Sequence, residues 1–102
     1  MRSISVGELK ALLDTGDTVE LIDVREPYEY AEGHVPGARL APLGTVPTLL
    51  GGLPRDTPVY VLCAVGARSA RAAVWLAERG VDAVNVEGGT AEWAGAGYPL
   101  DR

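Results

Sequence analysis

A single cysteine, Cys63, stands where a β-favouring apolar run, Val59 to Leu62, gives way to the loop Ala64-Val65-Gly66-Ala67 and then to a helical pattern from Arg68 to Arg79. This order predicts a sulfur at a strand's C-terminal end, beside a helix N-terminus. Exposed backbone N–H groups and the positive end of the helix dipole stabilise negative charge there, so the thiol is expected to shift towards the reactive thiolate. Two readings of Cys63 compete. Free cysteines commonly serve as small buried hydrophobes. Apolar core positions belong inside the strand, however, whereas Cys63 begins a loop in which Gly66 lets the backbone pass close to a ligand.

The neighbouring polar residues also carry two readings each. Arg68 is either a positive anchor for an anionic substrate or a solvated first-turn residue, although a cation at a helix N-terminus is mildly unfavourable. Ser69 caps the helix or donates a hydrogen bond to the thiolate, and capping is the commoner role for serine there. His34 invites a Cys–His general-base pair, but it stands in a Pro-Gly turn far from Cys63, where stabilising its own turn is the simpler role. Asp23 and Arg25 fall at another strand end, as an ion pair that braces the active loop or one that fixes only its own turn. Gly88, Gly89 and Trp93 read as a tight turn and packing.

These residues need a scaffold, and the chain supplies alternating elements. Ser5 and Glu8 have capping-box spacing, and Leu9, Leu12 and Leu13 give the helix that follows one apolar face, ended by Thr15-Gly16-Asp17. Val19 to Val24 is apolar along most of its length and predicts a central strand. Pro27 suits the first turn of a short helix, Tyr28 to Glu32, with Gly33 past its end. The turn from His34 to Ala38 leads to a brief extended piece, Arg39 to Ala41. Pro47 interrupts residues 43 to 50, which are expected as a short irregular helix, and residues 51 to 58 form a turn cluster. Beyond the Cys63 loop the helix offers Ala70, Ala73, Val74 and Ala77 to a sheet, with Gly80 as its cap. Val81 to Val86 is the next strand, and Thr90 to Ala94 is a short segment after the Gly88-Gly89 turn. Strands alternating with helices in this way predict an α/β domain over residues 1 to 102, with a parallel sheet covered on both faces.

Composition narrows the partners. A net charge of −5 disfavours a nucleic-acid or anionic-membrane surface, because phosphates are repelled over most of the protein. One cysteine precludes an internal disulfide, and one cysteine with one histidine is too few for a structural zinc site. The N-terminus lacks the apolar run of a signal peptide, which makes a reducing cytoplasm the expected location.

Four motifs then combine. Asp23-Val24-Arg25, Gly33-His34-Val35-Pro36-Gly37-Ala38, Cys63 with Gly66, Arg68 and Ser69, and Gly88-Gly89 with Trp93 and Gly97-Tyr98-Pro99 follow one another along nearly the whole chain. Together they resemble a single-domain rhodanese. The resemblance implies a central parallel sheet flanked by helices on both faces, and a catalytic Cys63 that accepts a sulfane sulfur from thiosulfate or a persulfide and passes it to cyanide or a thiol. It implies substrate binding by the backbone of Ala64, Val65, Gly66, Ala67, Arg68 and Ser69, with Asp23, Arg25 and His34 in support. Both half-reactions are displacements at sulfur and need no metal or organic cofactor. Cysteine phosphatases, some sharing this fold, resemble one another in placing five residues between Cys and Arg, whereas four stand here, which favours a single sulfur atom over a phosphoryl group. Rhodaneses that use thiosulfate well often carry basic or polar loop side chains. Ala64, Val65 and Ala67 are apolar, and this disfavours thiosulfate relative to a protein or small organic persulfide. Two other roles remain open: a sulfur-carrier module exchanging sulfur with a donor or acceptor protein, and a non-catalytic binding domain.

Overall fold

A computed structural model describes residues 2–102. Five strands form one parallel sheet: β1 (Arg2–Ile4), β2 (Glu20–Asp23), β3 (Arg39–Leu40), β4 (Val59–Leu62) and β5 (Ala83–Val86), in the spatial order β1-β5-β4-β2-β3. The helices are α1 (Val6–Asp14), α2 (Pro27–Glu32), α3 (Val46–Leu49), α4 (Ala67–Ala77) and α5 (Gly89–Gly95). Strand β4, which leads to Cys63, lies at the centre between β2 and β5.

Side-chain alternation along the strands divides the core into two layers. Ile22, Val24, Val59, Val61 and Ala83 pack with Val46 of α3 and with Ala72, Ala73 and Leu76 of α4. Leu21, Leu62 and Val86 pack on the other side with Val6 and Leu9 of α1 and Trp93 of α5. The alternation continues one residue past β4, so Cys63 belongs to the α4 layer. Its side chain therefore faces the start of the helix that follows it. Among the described residues no helix is long and apolar enough to cross a membrane.

Local chemistry accounts for the element boundaries. The Ser5–Glu8 capping box is formed in both directions at the start of α1. Pro47 sits in the first turn of α3, where its missing N–H costs no helical bond, and single 3₁₀ turns at Leu43–Thr45 and Leu50–Gly52 flank that helix. Helix α4 begins and ends slightly earlier than the sequence pattern suggests. Gly80 N–H donates to Ala77 O and Val81 N–H to Leu76 O, which closes the helix through a glycine turn. The edge strand β1 escapes sequence reading, because three residues, two of them polar, show no periodicity. It exists through its pairing with β5, Arg2 opposite Val84 and Ile4 opposite Val86.

Helix α5 fastens the back of the Cys63 loop. Thr90 N–H donates to Cys63 O and Ala91 N–H to Ala64 O, each at 2.9 Å, and both contacts require Gly89 to pass directly over those carbonyls. A Cβ on Gly89, whose φ is +56°, would overlap the Cys63 and Ala64 carbonyl oxygens. Replacing Gly89 by Ala is therefore expected to destabilise the fold by about 2 kcal/mol or more, measured by urea denaturation.

Candidate functional site

The loop after β4 folds back around its own sulfur. Gly66, the residue preceding α4, has φ +101°, and this left-handed turn brings its N–H to 3.1 Å from Cys63 Sγ. The Ser69 N–H, in the first turn of α4, donates to the same sulfur at 3.3 Å, and Ser69 Oγ lies 3.3 Å away. The sulfur thus occupies the position of a helix cap, accepting an N–H that the helix cannot satisfy internally. The first-turn N–H groups of Ala67 and Arg68 likewise have no intrahelical acceptor and surround the same end of α4.

Two effects oppose each other on the Cys63 thiol. Cys63 is only 1% exposed, and burial pushes its pKa up. Hydrogen bonds from the Ser69 hydroxyl and from the Ser69, Gly66 and Val65 N–H groups outweigh burial, so the pKa is lowered from the ordinary thiol value. Cys63 is a buried residue in the hydrophobic layer whose thiol pKa is lowered by its own loop.

Arg68 has a partner that neither of its sequence readings named. Its guanidinium forms a two-pronged ion pair with Glu29 of α2, Nη1 to Oε1 at 2.8 Å and Nη2 to Oε2 at 2.9 Å. The hydrogen bond from Arg68 holds the Glu29 carboxyl at about 2, while Glu29 raises the Arg68 pKa further. The one cation of the loop is therefore balanced before any substrate arrives. Of the two Ser69 readings, capping is the one corrected: Gly66 takes the cap position, and Ser69 Oγ faces Cys63 Sγ, Gly66 O and Asn85 Oδ1.

The remaining residues stand behind this arrangement. Arg25 Nε and Nη2 donate to the Asp23 carboxylate at 3.0–3.1 Å, and Nη2 also donates to Gly33 O at 2.8 Å. The buried pair touches its own turn and the end of α2, the helix that carries Glu29. His34 stacks on Tyr30 with ring centroids 3.6 Å apart, and its Nδ1–H donates to Tyr30 O. Its backbone pairs with Asp101, and no contact joins it to Cys63. Trp93 Nε1–H donates to Pro99 O at 2.7 Å, a packing role. Glu29 and Asn85 were missed by sequence reading. Glu29 lies 39 residues from its partner and carries no local sign of the pairing. Asn85 did carry one, as an amide within an apolar central strand, where a buried polar group needs a specific partner.

The fold and site define a parallel α/β domain that holds a cysteine sulfur in a cradle of backbone N–H groups. A rhodanese-like domain model matches residues 5–96, and the chain belongs to that family. It is 38% identical over 90 residues to a sulfurtransferase of Allochromatium vinosum, covering 87% of this chain and 83% of that protein. YtwF of Bacillus subtilis, named as a candidate sulfurtransferase, is 36% identical over 99 residues, with 97% and 96% coverage. A rhodanese-like domain protein of Staphylococcus aureus has a structure similar to this one, with a TM-score of 0.86, 42% identity and 91% of each chain covered.

Two outcomes follow from the electrostatics. Replacing Ser69 by Ala removes one donor to the thiolate and should raise the Cys63 pKa by about one unit, read from the pH dependence of alkylation. Because the Glu29 pKa is lowered on folding, its contribution to stability is complete above about 4.5 and lost as pH falls towards about 2. In Glu29→Gln this part of the acid-unfolding profile should flatten, as followed by circular dichroism.

Proposed function

We propose that this chain is a sulfurtransferase which holds a sulfane sulfur as a Cys63 persulfide and draws it from a persulfide donor in preference to thiosulfate. One observation carries the reading: the sulfur accepts N–H groups from Gly66 and Ser69 while Glu29 binds Arg68. The neutral cradle stabilises a single anionic sulfur, but a doubly charged donor meets no free loop cation. Family membership and the sulfurtransferase name of the Allochromatium relative support the same class of activity.

In the first half-reaction the Cys63 thiolate attacks the outer sulfur of a donor R–S–SH. A Cys63 S–S bond forms, the donor's S–S bond breaks, and R–S⁻ leaves with the electron pair. The outer sulfur releases its proton to solvent and remains as an anion within the N–H groups of residues 64 to 69. A thiolate acceptor then attacks that outer sulfur, forming a new persulfide and returning Cys63 to the thiolate. Since Cys63 is nearly inaccessible at rest, the donor must be slim at the reacting atom. A divalent sulfur meets that condition better than a tetrahedral phosphoryl group.

A carrier role, in which the sulfur passes between proteins, is favoured by the rim of the site. Val65 at the loop tip is 67% exposed and Tyr28, beside Glu29, is 69% exposed, offering apolar surface to a protein partner. A Bacillus subtilis relative, YrkF, is named as a candidate sulfur carrier; it is 34% identical over 93 residues, which span half of that protein. A reducing cytoplasm suits both roles, because a lone thiol is kept from oxidation there.

Intact-mass spectrometry after exposure to glutathione persulfide, and separately to thiosulfate, tests the proposal. The expected result is a one-sulfur gain, faster from the persulfide, removed by cyanide and missing in Cys63→Ser. In Glu29→Gln the uncompensated Arg68 should raise the ratio of thiosulfate to persulfide loading several-fold. No gain from either donor contradicts sulfur transfer, and faster loading from thiosulfate in the native protein contradicts the donor preference.

A further inference from the structure

Behind the sulfur, the Ser69 hydroxyl leads to Asn85, a buried amide with no role in the proposed chemistry. Ser69 is fully buried, and Asn85 on β5 is 6% exposed. Ser69 Oγ stands 2.6 Å from Asn85 Oδ1, 3.2 Å from Gly66 O and 3.3 Å from Cys63 Sγ. The other end of the amide, Nδ2, is 3.5 Å from Gly66 O. A hydroxyl has one proton, and once Cys63 is a thiolate all three of these neighbours are acceptors.

Hydrogen-bond accounting allows two arrangements of the Ser69 proton. When Cys63 is a thiol, S–H donates to Ser69 Oγ, Ser69 donates to Asn85 Oδ1, and Asn85 Nδ2 donates to Gly66 O. When Cys63 is a thiolate, the Ser69 proton is needed at the sulfur, and Oγ must then be supplied from behind by a donor. The Asn85 amide can provide one by turning over, which places Nδ2 against Ser69. The turn gives up the 3.5 Å contact with Gly66 O and brings Oδ1 towards that carbonyl, a repulsion that the bond to Ser69 must offset; the carbonyl keeps the Ala70 N–H at 3.1 Å.

We propose that Asn85 is a positioning residue for Cys63, whose side-chain amide reverses as the sulfur gains or loses its negative charge and so sets the direction of the Ser69 hydroxyl. An amide, with a donor and an acceptor at opposite ends, serves both states. The inference rests on the proposed function in taking the Cys63 thiolate as the reacting group. The charged groups around the sulfur do not substitute for this device. Arg68 is paired with Glu29 and Asp23 with Arg25, and Arg71 of α4 is exposed to solvent and is retained in every variant used below. Glu87 and Glu92 flank the Gly88 turn beside Gly66, and they are common to every variant used below.

The native protein, labelled with nitrogen-15, provides the first test. The Asn85 side-chain amide resonances should move with pH at the same midpoint as the thiolate absorbance of Cys63, and this movement should vanish in Ser69→Ala. Amide resonances that stay fixed while Cys63 titrates, or that move equally in Ser69→Ala, overturn the proposal. Substitution gives the second test. In Asn85→Asp the carboxylate only accepts and holds the Ser69 proton away from the sulfur, so the Cys63 pKa should rise well above that of Asn85→Leu. The difference between the two should shrink by about half or more when Ser69 is also replaced by Ala; an unchanged difference means that the introduced carboxylate acts through its charge alone and contradicts the inference. Sulfur loading followed by mass is a separate readout. A protein that loads sulfur with a fixed amide refutes only the role of Asn85, and one that loads none with a responsive amide refutes only the transferase.

Discussion

The hydrogen bonds from the Gly66 and Ser69 N–H groups to Cys63 Sγ are the contacts on which the rest of the site depends. They join the end of the central strand to the start of α4, and they make the reactive atom part of the helix's own capping. A helix N-terminus needs an acceptor and a buried thiolate needs donors, so the same contacts meet both needs. The left-handed turn at Gly66 makes this possible, and the docking of α5 onto the Cys63 and Ala64 carbonyls holds the loop from the other side. The structural and chemical roles of this cysteine are therefore inseparable.

Charge is arranged around that contact with economy. Two cations near the loop have fixed partners, Arg25 bound by Asp23 and Arg68 by Glu29, whereas Arg71, one turn further along α4, is exposed and forms no ion pair among the described residues. The first pair also fastens the end of α2 through Gly33 O, and α2 presents Glu29 to Arg68. The question of whether Asp23 and Arg25 brace the loop or only their own turn thus has a layered answer in the geometry. They contact their turn directly, Arg25 reaches the end of α2 through Gly33 O, and the Asp23 backbone stands opposite Leu62, the residue before Cys63. What remains at the sulfur is a field of neutral dipoles, which suits a small anion formed in place better than a dianion drawn from solution.

Much of this was legible in the residues. The apolar run of β4 followed by a cysteine, a glycine and a helical pattern located the thiol at a strand end beside a helix, because those signals are local. The parallel α/β layout followed from the alternation of strands and helices for the same reason. The contacts made across the fold were not legible. Arg68 showed no sign of being bound by a carboxylate 39 residues away, and Ser69 looked like a cap because its sulfur and amide partners come from β4 and β5. Strand β1 was hidden because only its neighbour makes it a strand.

The central claim is that neutral donors of the loop, and not a nearby positive charge, lower the Cys63 pKa. It is tested most directly by titrating the thiolate absorbance of the native protein against Cys63→Ser at low and high salt. The account predicts a midpoint below the free-thiol value of about 8.5 that changes little with salt, because short contacts to buried dipoles are screened poorly. A midpoint at or above that value, or one that rises to it as salt is added, would contradict the account.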